Sequence, residues 1–339
     1  MKTNDKDKFS EADIRPKDFL AGQKIAVMQD VGMLLSNANQ FIEVNCPACN
    51  SIGGKMKYNK YSFTYLECEN CETFYTSPRP TAELLGKFYA ESVNYAYWNK
   101  YIFPASESTR REKIVVPRVN RIIEYCKKYN STTESILEVG AGFGTFCEEM
   151  SSRGIFKRIV AVEPSPTLAA TCRARGVDTI EMPIEKVKLD DNDKFDVVVN
   201  FEVIEHLFSP QDFIQQCKKQ MKPGALFVVS CPNGKGFDVI TLKEKSNTID
   251  HEHLNYFNPK SIELLFSNNG FEVLEVLTPG VLDADIVRNS ILEGNYDLKD
   301  QPFLQQILID EWEEKGKSFQ DFLINSKLSS NLWIIAKNK

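Results

Sequence analysis

The run Ile136-Leu137-Glu138-Val139-Gly140-Ala141-Gly142-Phe143-Gly144-Thr145-Phe146 constrains this chain more than any other. An apolar stretch passes into an acidic residue, then into three glycines at alternate positions, then into a helix-forming segment. That pattern predicts a buried strand turning sharply into a helix. Glycine adopts positive φ and lets a ligand lie against the main chain of such a turn. A second apolar run, Ile159-Val160-Ala161-Val162, closes on Glu163, nineteen residues beyond Gly144. A carboxylate there is placed to accept hydrogen bonds from ribose hydroxyls. Turn and carboxylate together predict an adenosine-containing cofactor.

The glycine spacing and charge narrow the choice. A dinucleotide turn reads G-x-G-x-x-G and seats a pyrophosphate on a helix N-terminus. Here the spacing is G-x-G-x-G and Glu138 opens the turn, so a pyrophosphate would be repelled. The cationic amino and sulfonium groups of S-adenosylmethionine (SAM) would be attracted. No lysine lies in the turn, which excludes a P-loop. The stretch resembles the first motif of the class I SAM-dependent methyltransferases. Glu163-Pro164-Ser165, Glu181-Met182-Pro183-Ile184, the segment Phe195 to Leu207 and the segment Met221 to Ser230 match that family's later motifs in order. The resemblance implies a doubly wound, Rossmann-like α/β sheet of seven strands. It also implies a donor site built from Glu138, Gly140, Gly142, Gly144, Glu163, Pro164, Met182, Asn200 and Glu202.

Cysteine spacing adds a second element. Cys46-x2-Cys49 and Cys68-x2-Cys71, with eighteen residues between the pairs, have the C-x2-C-x18-C-x2-C spacing of a zinc ribbon. Each pair forms a knuckle that gives two thiolates to one ion, and Lys57 to Leu66 can form the hairpin joining them. Four protein ligands make the metal structural and closed to substrate. Cys126, Cys147, Cys172, Cys217 and Cys231 fall in helical or strand patterns and read as small buried apolar residues.

The chain of 339 residues divides into an N-terminal helical segment (1–40), the ribbon (41–80), a helical linker or lid (81–130) and the methyltransferase domain (131–339). Residues 18 to 37 suit a helix that packs on the ribbon or pairs two copies. Pro78-Arg79-Pro80 reads as a chain break and Thr81 as the cap of a short helix through Tyr89. An aromatic cluster follows at Phe88, Tyr89, Tyr95, Tyr97, Trp98, Tyr101 and Phe103. It reads as domain packing, with a lid or a stacking wall for the acceptor as the functional alternative. A long helix over about 107 to 129 is expected to be interrupted or kinked at Pro117. Residues 283 to 328 read as a helical insert. It lies between Phe271–Val276 and 332–336, the expected antiparallel edge. A net charge of −6 argues against nucleic acid and anionic membranes as partners. Met1 to Lys17 has no apolar core, so no secretory signal is read, and a cytoplasmic protein is expected.

The three histidines, His206, His251 and His253, all fall in loops beyond the carboxyl ends of predicted strands, where open α/β sheets bind ligands. His206 lies in Glu202-Val203-Ile204-Glu205-His206 and reads as loop support. The segment Asp250-His251-Glu252-His253-Leu254-Asn255-Tyr256-Phe257 concentrates proton-transfer groups. As zinc ligands His251 and His253 are poorly spaced and lack a nearby third partner. As acid–base groups they suit methyl transfer, because a neutral hydroxyl or an acidic C–H must lose a proton to attack a sulfonium methyl. Ribbon followed by methyltransferase resembles the deoxysugar 3-C-methyltransferases and related enzymes of surface-polysaccharide clusters. Their Tyr-x-Glu-His stretch is matched here by Glu252 and His253, with Asp250 in the tyrosine position. That resemblance implies His253 as general base, Glu252 orienting, and Asp250 and His251 lining the acceptor pocket. It implies as partner a small acceptor, a nucleotide-linked sugar or glycan. After position 280 only the insert and one strand stand where that family carries a larger domain, so O-methylation of a sugar stays open. Two other readings stay open: an O-methyltransferase of a non-sugar small molecule, and an inactive fold whose ribbon recruits a protein or RNA. The intact Glu138, three glycines and Glu163 weigh against the last.

Overall fold

The computed structural model describes residues 9–339, so the reading of the extreme N-terminus lies, for residues 1–8, outside the described residues. Eleven strands are defined among them: β1 (Lys55–Lys60), β2 (Phe63–Glu67), β3 (Phe74–Thr76), β4 (Ser135–Val139), β5 (Arg158–Val162), β6 (Asp178–Ile180), β7 (Phe195–Phe201), β8 (Met221–Pro232), β9 (Asn255–Tyr256), β10 (Phe271–Leu277) and β11 (Asn331–Asn338). Seven form one sheet in the order β10-β11-β8-β7-β4-β5-β6. The strands from β6 to β8 run parallel, and β11 lies antiparallel to both β8 and β10. The expected edge pair is therefore present, with the reversed strand one place inside the edge.

The parallel strands are apolar nearly throughout because both faces of the sheet are covered. Successive side chains alternate. Leu137, Val139 and Val198 pack on one face with Phe227 and Phe266; Ile136, Val197 and Val199 pack on the other with Phe146 and Ile335. The insert folds as helices Asp283–Leu292, Pro302–Gln305 and Trp312–Asn325 around its own cluster of Val287, Leu308, Trp312 and Leu323. Among the described residues no helix is long and apolar enough to cross a membrane.

The expected helix over 107–129 belongs to a longer run. Val93–Tyr97, Phe103–Arg110 and Val116–Lys128 are joined by π turns at Trp98–Ile102 and Arg111–Val115. The interruption precedes Pro117, which follows the second π turn, where the backbone has already left the regular i→i−4 ladder. Helix Lys17–Leu35 lays Val31 and Leu34 against Phe63, Tyr65 and Phe74 of the ribbon and Phe88 of helix Ala82–Glu91. The packing role holds for that face, while Ile25 and Met28 stay exposed. Thr81 caps as expected, its Oγ1 accepting from the Leu84 N–H at 3.3 Å.

Two features depart from the sequence reading. The ribbon sheet has a fourth strand, in the order β1-β2-β3-β9, and β9 comes from the loop that follows His253. Tyr256 stacks on Phe74 with centroids 4.1 Å apart, and the Tyr65 hydroxyl donates to the Asp250 carbonyl at 2.7 Å. Arg79, read as part of a chain break, is fully buried. Its guanidinium donates to the carbonyls of Thr76 (2.9 Å), Phe208 (3.2 Å) and Leu254 (3.2 Å) and to Asn255 Oδ1 (3.0 Å). One planar fork thus ties the ribbon exit to the loops after β7 and β8.

Candidate active site and metal centre

The glycine turn follows β4 as predicted. Gly140, Gly142 and Gly144 have φ of +78°, +56° and +70°. A Cβ at Gly140 would stand 2.6 Å from Val203 Cγ2, so the first glycine is required by space as well as by conformation. Glu163, at the end of β5, accepts the Gly142 N–H at 2.8 Å and the Ser165 N–H at 2.9 Å, one on each oxygen. Each oxygen keeps capacity for a further donor such as a ribose hydroxyl. Glu138 is buried, and burial raises its pKa to about 8 against the thiol hydrogen bond from Cys147 at 3.1 Å. Two buried atoms beside the turn, Thr145 Oγ1 and Asn200 Oδ1, have no protein partner. Unpartnered buried polar atoms of this kind at a ligand cradle leave room for a bound polar group. Glu202 holds φ +55° and accepts from Ser230 Oγ and Asn331 Nδ2, with Arg118 3.5 Å away. Pro164 and Met182 are exposed at the rim beyond β5 and β6. Phe103 of the lid stacks on Phe143 in the turn itself, with centroids 3.8 Å apart. The residues named from sequence therefore lie at or beyond the carboxyl ends of β4, β5, β6 and β7, on one edge of the sheet, and the chemistry of Glu163 and Glu138 is compatible with an adenosine bearing a cationic tail.

The acceptor candidates lie at the same carboxyl edge. His206 and His253 meet edge to face with centroids 4.7 Å apart. His253 Nδ1 lies 2.8 Å from the Thr248 carbonyl. A carbonyl only accepts, so Nδ1 donates to it, and in the neutral ring the lone pair lies on Nε2. His206 Nδ1 lies 3.2 Å from the Glu252 carbonyl, and burial, then the nearby His253, lower its pKa to about 3, so it stays neutral. Asp250 Oδ1 accepts the backbone N–H groups of Glu252 (2.9 Å) and His253 (3.0 Å). Its carboxylate shapes the turn, and the histidines around it outweigh burial and hold its pKa below the usual range. Glu252 is reached by the Asn94 amide of the lid. Burial, then Asp250, raise its pKa. Glu205 is buried with neither oxygen partnered, and burial raises its pKa well above the carboxylate range. Tyr89 and Tyr95 pack edge to face over this loop, and the Tyr89 hydroxyl donates to the His206 carbonyl at 3.2 Å. Part of the aromatic cluster thus packs against the loop that carries His206. Sequence reasoning missed Asn94, Glu205 and Asp30. Asp30 and Asn94 become neighbours of this loop only through the tertiary fold, and Glu205 was read merely as half of a supporting pair. The third partner missing for His251 is supplied by Asp30, from the N-terminal helix.

The four ribbon cysteines converge. Their Sγ atoms all lie within 4.8 Å of one another, with Cys46 to Cys71 and Cys49 to Cys68 both at 3.5 Å. A disulfide would need about 2.05 Å. Thiolates about 2.3 Å from one tetrahedral ion would stand close to these separations. The donor set therefore fits a single ion with four sulfur ligands. The remaining five cysteines are all buried, as expected.

The strand order with its reversed strand, the glycine turn and the acidic residue closing β5 define a class I SAM-dependent methyltransferase domain. Residues 108–276 match the family described as a methyltransferase domain. The chain is 27% identical over 210 residues to a protein of Mycolicibacterium smegmatis described as a probable SAM-dependent methyltransferase, covering 59% of this chain and 76% of that one. It is 32% identical over 103 residues to the ubiquinone biosynthesis O-methyltransferase of a Chelativorans species, covering 29% of this chain and 40% of the relative. The match thus spans less than half the length of that second relative. A SAM-dependent methyltransferase from Clostridium acetobutylicum superimposes over 71% of this chain and 98% of its own, with a TM-score of 0.47 and 12% identity.

Proposed function

We propose that this protein transfers the methyl group of SAM to a small carbohydrate-type acceptor, a nucleotide-linked sugar or glycan, with His253 as general base. The observation that carries the reading is the His253 ring. Its Nδ1–H is held by the Thr248 carbonyl, which leaves Nε2 as a fixed proton acceptor at the carboxyl edge of the sheet. Glu138, Gly140, Gly142, Gly144, Glu163, Pro164, Met182, Asn200 and Glu202 would hold the donor, which supplies an electrophilic methyl when bound. Nε2 takes the proton from the acceptor hydroxyl or from a carbon beside a keto group. Glu252 and Asp250 offset the charge of the imidazolium that forms. Tyr89 and Tyr95 exclude water from the acceptor loop. Cys46, Cys49, Cys68 and Cys71 would hold one structural zinc, which fixes the ribbon and, through β9, the loop that carries His253.

A second reading, O-methylation of a non-sugar small molecule, draws support from the ubiquinone-pathway relative. Incubation with methyl-labelled SAM and a panel of nucleotide sugars, with polyphenols alongside, separates the two. Label in a sugar supports the first reading; label confined to a phenol hydroxyl replaces it with the second.

A further inference from the structure

His251 is 2% exposed and neither of its ring nitrogens has a hydrogen-bond partner. Its Nε2 lies 3.9 Å from Asp30 Oδ2 and 3.8 Å from Glu252 Oε1, so the ring stands between two carboxylates. Phe88 closes one side edge to face at 5.8 Å. Asp30 belongs to helix Lys17–Leu35, far from the methyltransferase motifs in sequence, yet it is fully buried. It accepts the Ser92 hydroxyl at 2.5 Å and the N–H groups of Val93 (2.8 Å) and Asn94 (3.1 Å), which are the free donors at the start of helix Val93–Tyr97. Asn94 in turn donates its amide to Glu252. One carboxylate of the N-terminal helix therefore reaches Glu252 by two routes, through the lid and through His251.

We propose that Asp30 is a positioning residue which, through the His251 ring seated between the two carboxylates and through the Asn94 amide, holds Glu252 in place in the acceptor site. The proposal rests on the reading of that loop as the acceptor site. Burial alone would neutralise His251. The carboxylates of Asp30, Glu252 and Asp250 outweigh it and raise its pKa. Burial likewise opposes ionisation of Asp30, and the interaction with His251, the Ser92 hydroxyl and the two N–H groups outweigh it. The other titratable groups facing this charge chain are His206 and His253 on the acceptor side and Tyr89 and Tyr95 on the lid. Docking of the N-terminal helix thereby completes the acceptor site electrically as well as sterically. A divalent cation between the same three groups is the competing occupant. The hydrogen bonds already made to Asp30 Oδ2 and Glu252 Oε1 favour the imidazolium.

The test is a side-chain nitrogen NMR titration of the full chain, in which only three histidines report. In the wild type His251 should remain an imidazolium above its ordinary midpoint. Asp30→Asn should lower that midpoint by about 1–3 pH units, the usual effect of removing an adjacent opposite charge. The pH profile of kcat should shift with it while SAM affinity holds, whereas a merely structural loss would lower activity without moving the profile. Should Asp30→Asn fail to fold, His251→Gln is read through carboxyl carbon shifts, and the Glu252 midpoint should rise. A His251 midpoint that Asp30→Asn leaves unchanged overturns the proposal. So does a metal ion bound in the wild type and released by His251→Gln. Absence of methyl transfer to any acceptor would count against the functional reading and leave the NMR result standing.

Discussion

Replacing Glu138 by glutamine should have opposite effects on stability and on donor binding. The Glu138 carboxyl lies at the end of β4 with 5% exposure, and burial raises its pKa from an ordinary 4.5 to about 8. The folded state thus binds a proton that the unfolded state has released between those two values. Stability consequently falls as pH rises through that window, and the loss is complete above pH 8. The interval corresponds to at most about 4–5 kcal/mol at full ionisation. Glutamine keeps the shape and an oxygen for the Cys147 thiol but never ionises. Glu138→Gln should therefore match the wild type in stability near pH 4.5 and exceed it by several kcal/mol at pH 8.5. SAM carries a cationic amino group that favours the ionised carboxylate, so the same variant should lose about 1.5–3 kcal/mol of donor affinity. Wild-type affinity should rise with pH up to about 8 as the carboxyl ionises more readily. Denaturant melts at the two pH values and calorimetry at pH 7 and 8 measure both. An equal stability difference at both pH values, or undiminished SAM affinity in the variant, would refute the reasoning.

Metal analysis of protein prepared without chelator should find one zinc bound by the ribbon. Removing it should disorder β1 to β3 and stop methyl transfer through β9 while SAM affinity holds; zinc-free protein of full activity would contradict this. His253→Ala and His253→Gln should each cut turnover by about 10²- to 10⁴-fold with SAM affinity nearly unchanged, measured by steady-state kinetics on the true acceptor. Arg79→Met would strip the buried Thr76 carbonyl and Asn255 Oδ1 of their donor and should cost at least about 2 kcal/mol in a urea melt; a loss below 0.5 kcal/mol, on the order of an ordinary surface change, would sink that reading.

The glycine turn and the carboxylate closing β5 were legible because their signals are local. Three glycines at forced positive φ and a carboxylate closing the next strand sit within one βαβ unit, where spacing along the chain is spacing in space. The cysteine pairs were legible for the same reason, since each knuckle is four residues long. Arg79 was hidden by the two prolines that flank it, which announce a break and say nothing of burial. β9 is two residues long, too short for any periodicity to mark, and its pairing with β3 is a contact across most of the chain. Asp30 sits in a helix whose apolar residues follow no regular period, so nothing in the pattern singles it out as buried. Its burial follows from the docking of two helices and a loop that sequence alone does not bring together.

The account rests on the donor site, and titration calorimetry tests it most directly. The wild type should bind SAM at one site per chain and should not bind NAD. Glu163→Ala should weaken SAM by about 1.5–3 kcal/mol, as for hydrogen bonds to a charged group. Tight NAD binding, or no heat with SAM, would contradict the account.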